Sequence, residues 1–362
     1  MWAMAMKELR QMRRDRRTLA LMIVQPVVLL VVFGYAASFD VDRVRTVVVG
    51  PQAHAVAGQL PERLEVVETR ADLGRQDAVE ALRDGEAAVG VVTGAAGQQA
   101  QVLVDGADLF SARSVVSELR GRPELPDPEV LFNPDLKTST IMVPGLMGVV
   151  LVFVGTIATA LGVVRERQSG TLEQLAVMPF RPRDVLLGKL LPYLGVAAVD
   201  LAVIVAAGML LFDVPFVGSP AVFALGALLF LFVTVGAGLL ISSVSETQGQ
   251  AIQLAFLTML PQILLSGLIF PLQAMAAGVR WIGYLLPLTY FVQLARGVMV
   301  KGTPFEALLL PLGMLAVLGL TVLGLSIARF RRDLAPAAPR RHGAAEGAEE
   351  AVDAARTRAG AG

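Results

Sequence analysis

Six long apolar stretches constrain this chain of 362 residues more than any other feature. A helix needs about 20 mostly apolar residues to cross the ~30 Å hydrocarbon core of a bilayer, and each stretch meets that requirement. They lie at residues 18–39, 143–164, 190–212, 221–244, 251–270 and 307–330. A hydrophobic content of 55% is also typical of membrane proteins. The sequence therefore predicts an all-α polytopic membrane protein with six transmembrane helices.

Basic clusters predict how these helices are oriented. Residues 1–17, 165–189 and the chain after residue 328 are rich in arginine, and the positive-inside rule places such segments in the cytoplasm. Both termini are then cytoplasmic, which an even number of spans allows. Arg280, Arg296 and Lys301 fall on the outer side and run mildly against the rule. For residues 1–17 we favour an interfacial amphipathic helix on anionic headgroups over a nucleic-acid-binding segment.

The long connection after the first span, residues 40–142, is predicted to be a small extracytoplasmic α/β domain. It carries 17 acidic and 10 basic residues. Strand-like and helix-like runs alternate in it, which is typical of an α/β unit, at 46–50, 77–83, 88–92, 101–106 and 111–120. In the segment "DGAD", Asp105 and Asp108 are candidate metal ligands, but a turn after a strand is the favoured use.

Proline and glycine interrupt the apolar segment 271–302 that precedes the last span. Trp281, Tyr284 and Tyr290 in this segment are residues of the membrane-interface type. We expect a pair of half-helices forming a re-entrant hairpin in the outer leaflet. Non-helical backbone at that depth must be covered by protein or line a wet cavity, so this feature favours a pathway over a simple anchor. Residues 333–362, rich in Ala, Gly and Pro, are predicted to be a disordered cytoplasmic tail.

The sequence offers no enzyme motif. It has no cysteine, no metal-spaced cluster and no GxxxxGK[ST] loop for a nucleotide phosphate. We therefore expect no catalytic, cofactor or metal site, and any ATP would be bound by another subunit. Asp200 lies in the middle of the third span, where a charge is costly, so it is either a pathway residue or a carboxyl that joins helices. Thr258, Gln262 and Ser266 are likewise candidate pathway residues or helix links.

The segment "RERQSGTLEQLAVMPFRPRDVLLGK", residues 165–189, is too articulated for a plain connector. Gly170 permits a change of direction, and Thr171 with Gln174 forms a capping-box pattern that starts a helix. Leu172 and Leu175 give that helix a small apolar face, Pro179 ends it, and Pro182 suits the start of the next helix. The pattern predicts a short helix on the cytoplasmic surface. From the residues alone, a docking helix and an ordinary amphipathic loop are equally supported.

This segment, extended to "ERQSGTLEQLAVMPFRPRDVLLGKLLPY", resembles the signature of the type-2 permeases of ATP-binding-cassette transporters. "VPFVGS", "LLSGLIFPLQAM", "LPLTYFVQLARGVMVKG" and the external "VLVDGAD" agree in order and spacing. The resemblance covers residues 1 to about 332 and is strongest to the bacterial multidrug-exporter-like branch. One departure is Met275–Ala276, where the family pattern has Met-Pro.

The resemblance implies a permease subunit of an exporter in the bacterial inner (plasma) membrane. It would form the pathway as a dimer with a second permease chain, identical or different, and dock separate ATPase subunits that bind ATP-Mg. A periplasmic adaptor is a further partner that the family allows. The coupling helix would occupy residues 170–179, and the cargo would be drugs or other amphiphiles. The implied coupling residues are Glu166, Gly170, Thr171, Leu172, Glu173, Leu175 and Pro179.

Two other functions are weighed against this one. A proton-coupled secondary carrier would use Asp200, but the hydropathy shows no inverted repeat and the spans hold no second acid. A membrane-anchored assembly scaffold would act through the external domain, for which six spans and a broken segment are excessive.

Overall fold

The structure is a computed structural model that describes residues 43–94, 100–119, 126–169 and 182–333. Four predicted segments lie outside these residues: the interfacial helix at 1–17, the first span at 18–39, the coupling helix at 170–179 and the tail beyond residue 333.

A five-stranded mixed sheet occupies the first part of the described chain. Its strands are β1 (Val44–Val49), β2 (Leu64–Arg70), β3 (Val89–Val92), β4 (Gln101–Asp105) and β5 (Glu129–Leu131), in the order β2-β1-β3-β4-β5. β1 pairs in parallel with β2 and β3, β3 pairs antiparallel with β4, and β4 pairs in parallel with β5. The three predicted strands coincide with β1, β3 and β4. Val48, Val89 and Val104, one in each of these strands, are fully buried because helices cover both faces of the sheet.

Three helices cover the sheet: α1 (Ala53–Ala57), α2 (Arg75–Asp84) and α3 (Leu109–Leu119). α2 packs Ala78 and Leu82 against one face, and α3 packs Val115 and its neighbours against the other. α2 starts where the Asp77 carboxylate accepts a hydrogen bond from the Gly74 backbone N–H, at 2.8 Å. This capping satisfies a donor that the first helical turn would otherwise leave unpaired.

The remaining helices are α4 (Thr138–Gln168), α5 (Pro182–Phe212), α6 (Pro220–Val244), α7 (Gln248–Leu265), α8 (Ala277–Gly283), α9 (Pro287–Arg296) and α10 (Leu309–Asp333). Within the described residues, four stretches are long and apolar enough to cross a membrane: Thr138–Gln168, Leu191–Phe212, Pro220–Val244 and Glu306–Arg329. They coincide with the predicted second, third, fourth and sixth spans. As predicted, α5 begins at Pro182.

The predicted fifth span differs from the structure. α7 ends at Leu265, five residues before the predicted boundary, because the backbone of Gly267 adopts a left-handed conformation (φ +81°) that turns the chain. Its sequence holds four glutamines and Pro261, and α7 is not among the helices that qualify as spans by length and composition. The count of six spans therefore stays a prediction.

Tight packing joins α4, α6 and α9. The rings of Phe230 and Phe291 stack with centroids 4.4 Å apart. A Cβ at Gly238 would lie 2.6 Å from the carbonyl oxygen of Thr156, so glycine is what lets α6 approach α4 so closely. The Thr156 hydroxyl donates to the carbonyl of Thr234 at 3.1 Å. In the same region α4 contains a π-helical stretch, Phe153–Ala158.

Short helical pieces replace regular helix between α7 and α10, as the sequence predicts for residues 271–302. They are a 3-10 turn (Leu272–Ala274), α8, α9 and a π-helical turn (Gly297–Lys301). Pro287 opens α9, and the Thr289 hydroxyl donates to the carbonyl of Gly283 at 2.6 Å, which fixes the angle between α8 and α9. The depth of this segment in a bilayer stays a prediction.

Candidate functional site

Lys301 connects the helices to the sheet. It ends the π-helical turn, and Gly302 follows in a left-handed conformation (φ +63°) that turns the chain. The Lys301 ammonium pairs with the Asp105 carboxylate at 2.5 Å and donates to the carbonyl of Leu82 at 2.8 Å. The Thr303 hydroxyl donates to the next carbonyl of α2, that of Arg83, at 2.9 Å. Lys301 and Thr303, two positions apart, thus hold the C-terminal end of α2, where carbonyls lack helical partners.

Asp105 is the buried anion of this joint. Its side chain is only 5% exposed, and its Oδ1 accepts the backbone N–H of Ala107 at 2.9 Å. Burial raises the pKa of Asp105 above its ordinary value, and the charge of Lys301 is the largest influence in the opposite direction. The Lys301 ammonium also lies 5.7 Å from the centre of the Phe132 ring, a further favourable contact for a cation.

The turn predicted for "DGAD" is confirmed. The backbone N–H of Asp108 donates to the carbonyl of Asp105, and the Asp108 carboxylate accepts from the backbone and hydroxyl of Ser111 at the start of α3. The described residues hold no group of three His, Cys, Asp or Glu side chains placed to bind a metal ion.

Arg296 and Arg280 are bound to backbone carbonyls. The three guanidinium nitrogens of Arg296 donate to Ile141, Gly267 and Leu268, at 3.1–3.3 Å, and so join the start of α4 to the end of α7. Arg280 donates to Gln273 and Met275. Together with Lys301, these are the basic residues that oppose the charge rule. Each has a partner within the protein, so local folding accounts for its position, and the predicted orientation of the helices in the membrane need not change.

A cleft of about 680 Å³ lies between the sheet and the helices beside this joint. Its basic lining residues are Arg43, Arg45, Arg83, Arg280, Arg296 and Lys301, and its acidic ones are Asp84, Asp105 and Asp108. Among the described residues of the lining, six cations and three anions give a net charge of +3. Ser266, one of the predicted pathway residues, also lines the cleft.

Thr258, Gln262 and Ser266 follow one another at intervals of four residues and share one side of α7 and its end. The Thr258 side chain is exposed and its hydroxyl donates to the carbonyl of Ala255 at 2.9 Å. The Gln262 Oε1 and the Ser266 Oγ are buried and have no hydrogen-bond partner among the described residues. The three form a polar line that leads to the cleft, and their use as a pathway stays a prediction.

Asp200 lies apart from this cleft, on α5. It is partly buried, and none of the described residues makes a hydrogen bond or an ion pair with it. Its neighbours Val196, Val199 and Val203 are 56–63% exposed, and only 17% of this span is buried within the protein. Asp200 is not among the described residues that line the cleft, whereas Ser266 is.

At the opposite end of α4, the chain that enters the predicted coupling segment is held in place. Arg167 donates to the carbonyls of Ser242 and Ser245. The Gln168 side-chain amide donates to the carbonyl of Glu246 and accepts from the side-chain amide of Gln248. Glu166 is partly buried in the same last turn. The other coupling residues, Gly170, Thr171, Leu172, Glu173, Leu175 and Pro179, lie outside the described residues.

The joint formed by Lys301 and Asp105 is the part of this site that sequence reasoning missed. The sequence predicts a turn at Asp105 and places Lys301 among the basic residues that run against the positive-inside rule. A usable signal existed, because a basic residue on the wrong side of a membrane protein calls for an acidic partner nearby.

Similarity to known proteins extends over nearly the whole chain. Residues 16–328 match a family described as "ABC-2 family transporter protein". The chain is 26% identical to the "Probable multidrug ABC transporter permease YbhR" of Escherichia coli over 361 residues, covering 92% of this chain and 98% of that protein. It is 28% identical to YbhS of the same organism, with 92% and 97% covered. A shorter match, 29% over 175 residues, reaches "ABC transporter G family member 20" of Dictyostelium discoideum, covering 48% and 24%.

Proposed function

Because the chain belongs to the ABC-2 family of transporter proteins, we propose that it is the membrane-spanning permease subunit of an ATP-binding-cassette exporter. The observation that carries this proposal is the family match over residues 16–328, together with two permeases that align over 92% of this chain and 97–98% of their own lengths. The four apolar helices among the described residues are what a membrane transport subunit needs.

In the proposed topology, α4 crosses the membrane from the sheet to the cytoplasm. It has 31 residues and is therefore about 46 Å long, enough to span the ~30 Å hydrocarbon core with both ends outside it. Arg165 and Arg167 mark its cytoplasmic end under the positive-inside rule. Ile141, at the other end, is bound by Arg296 beside the cleft. The sheet then lies outside the cytoplasm, with six spans and both termini inside.

Two such permeases pair in the inner membrane, and each docks a separate ATPase subunit through the coupling helix at residues 170–179. ATP-driven movement of the ATPases reaches the helices through this segment. The hydrogen bonds of Arg167 and Gln168 to the end of α6 and the loop after it support the proposal, because they hold the residues that directly precede the coupling segment in place. Drugs or other amphiphiles are the proposed cargo, in keeping with the multidrug names of YbhR and YbhS.

The test places charges on the apolar face of the coupling helix. The variants Leu172→Asp and Leu175→Asp are coexpressed with the partner ATPase, and copurification, ATP hydrolysis and dye efflux from cells are measured. We expect loss of ATPase binding and of efflux, while the permease keeps its elution volume and yield. The control is Val67→Asp, at an exposed apolar position of β2. Retention of ATPase binding and efflux in both leucine variants would refute the coupling assignment.

A further inference from the structure

Beyond the proposed transport function, the cleft between the sheet and the helices has the features of a binding site. We infer that it binds the phosphate headgroup of an anionic phospholipid, with the acyl chains lying on the apolar surface beside it.

The charge of the cleft favours an anionic ligand. Its described lining residues include six cations and three anions. One cation, Lys301, is neutralised by Asp105, and Arg296 is occupied by three carbonyl oxygens. Arg45 and Arg280 also donate to carbonyls, Arg45 to Gly85 and Arg280 to Gln273 and Met275, but carbonyl oxygens carry no net charge and leave both cations uncompensated. Arg43 and Arg83 line the cleft as well, and its remaining anions among the described residues are Asp84 and Asp108. An excess of arginine in a partly enclosed space attracts an anion, and guanidinium groups match the geometry of phosphate oxygens.

The cleft also holds buried donors that lack hydrogen-bond partners. The Nε of Arg83, the Nε of Arg280 and the Oγ of Ser266 are buried and have no hydrogen-bond partner among the described residues. All three residues line the cleft, and Ser266 as a whole is only 1% exposed. Buried polar groups are normally hydrogen-bonded, because an unpaired donor costs about 1–3 kcal/mol. A phosphate group offers oxygen acceptors to donors of this kind.

An exposed apolar surface next to these donors favours a lipid over a free anion. Tyr284 and Leu310 line the cleft and are 45% and 70% exposed, and Trp281, Leu285 and Leu309 beside them are more than half exposed. A free phosphate ion has no use for such a surface, whereas acyl chains do. In the proposed topology the cleft lies at the outer end of α4, the level of the outer-leaflet headgroups.

The experiment uses the full-length protein purified in neutral detergent. It is titrated with dioleoylphosphatidylglycerol and with dioleoylphosphatidylcholine, and bound lipid is counted by native mass spectrometry. We expect phosphatidylglycerol to bind more tightly, since the choline ammonium of the other lipid meets the same arginines. Arg83→Gln and Arg280→Gln should each weaken phosphatidylglycerol binding about tenfold, the effect of one charge-assisted hydrogen bond.

The matched control is Arg75→Gln, because Arg75 lies on the same helix as Arg83 but pairs with Glu129 away from the cleft. It should bind phosphatidylglycerol as the unaltered protein does. Ser266→Ala removes an uncharged donor of the cleft. It replaces an arginine variant in the test if that variant does not fold, and folding is judged by elution volume. Unchanged binding in the folded cleft variants, or an equal loss in Arg75→Gln, would overturn the proposal.

A third arm replaces the lipid by inorganic phosphate and measures the thermal midpoint, Tm. Stabilisation by phosphate that depends on Arg83 and Arg280, without preferential binding of phosphatidylglycerol, would identify a free anion as the ligand and refute the lipid assignment. ATP hydrolysis with the partner subunit is measured separately, so a failure of the coupling assignment leaves the lipid result interpretable.

Discussion

Replacing Lys301 by methionine removes the charge that stabilises the buried Asp105 carboxylate. Lys301 is 12% exposed and Asp105 is 5% exposed, and the substitution also removes the hydrogen bond to Leu82. Removing one partner of a buried ion pair costs about 3–5 kcal/mol, because the other charge stays buried without compensation. Since some water reaches Lys301, we expect the lower end, about 3 kcal/mol near neutral pH. With an unfolding entropy of about 2.1 cal/mol/K per residue over 362 residues, that corresponds to a Tm lower by roughly 4 °C.

The loss should depend on pH in one direction. Burial already raises the pKa of Asp105, and without Lys301 this pKa rises further above the value of about 3.9 in the unfolded chain. Above the folded-state pKa the full cost of a buried, unpaired carboxylate is present. As the pH falls through that pKa, the native protein takes up a proton that the unfolded chain does not, and the cost disappears. The Tm difference between Lys301→Met and the unaltered protein should therefore shrink from pH 8 to pH 5.

The assay is thermal unfolding of the purified protein in detergent across this pH range. The double variant Asp105→Asn with Lys301→Met removes both charges and should recover most of the lost stability. Lys137→Met is the matched control, because Lys137 and its partner Asp135 are more than 60% exposed and such pairs contribute little. An unchanged Tm in Lys301→Met at every pH, or a double variant as unstable as the single one, would refute this account.

Three further predictions concern the helices. Arg167→Gln loses two hydrogen bonds to Ser242 and Ser245, so ATP hydrolysis that depends on the permease should fall while ATPase binding persists, measured on the copurified complex. Gly238→Leu places side-chain atoms against the Thr156 backbone and should abolish the yield of folded protein, whereas the smaller Gly238→Ala should only lower the Tm. A yield of folded Gly238→Leu equal to that of the unaltered protein would contradict the close packing of α4 and α6. Asp200→Asn should leave efflux unchanged. If efflux depends on a pH gradient and this variant loses it, the carrier hypothesis is supported instead.

Apolar patterning was sufficient to predict most of the architecture. Four spans, three strands, the turn at Asp105 and the start of α5 at Pro182 follow from periodicity, proline position and turn chemistry. These features depend on neighbouring residues and are therefore readable in a sequence. β2 was missed because it is an edge strand in which charged residues alternate with apolar ones, so its apolar signal is weak.

The features that could not be predicted depend on distant contacts or on a single backbone angle. Lys301 and Leu82 are 219 residues apart, and nothing local to either residue identifies the other. The early end of α7 depends on the left-handed conformation of Gly267, one of many glycines in apolar sequence. Ser266 was singled out as a polar residue in an apolar run, but its place in the cleft depends on where the sheet packs.

The length and attachments of α4 have a mechanical consequence. This helix is hydrogen-bonded to Arg296 near its first turn. Through Arg167 in its last turn, it is also bonded to the carbonyls of Ser242 at the end of α6 and Ser245 just after it. A helix resists compression along its axis, so an axial push at one end must reach the other unless the helix shortens between them. The π-helical stretch at Phe153–Ala158 departs from regular α-helical hydrogen bonding and is the segment of α4 where a change of register is expected. Under the proposed coupling, a shift of register at this stretch would reduce how much of a movement at the ATPase side reaches the sheet.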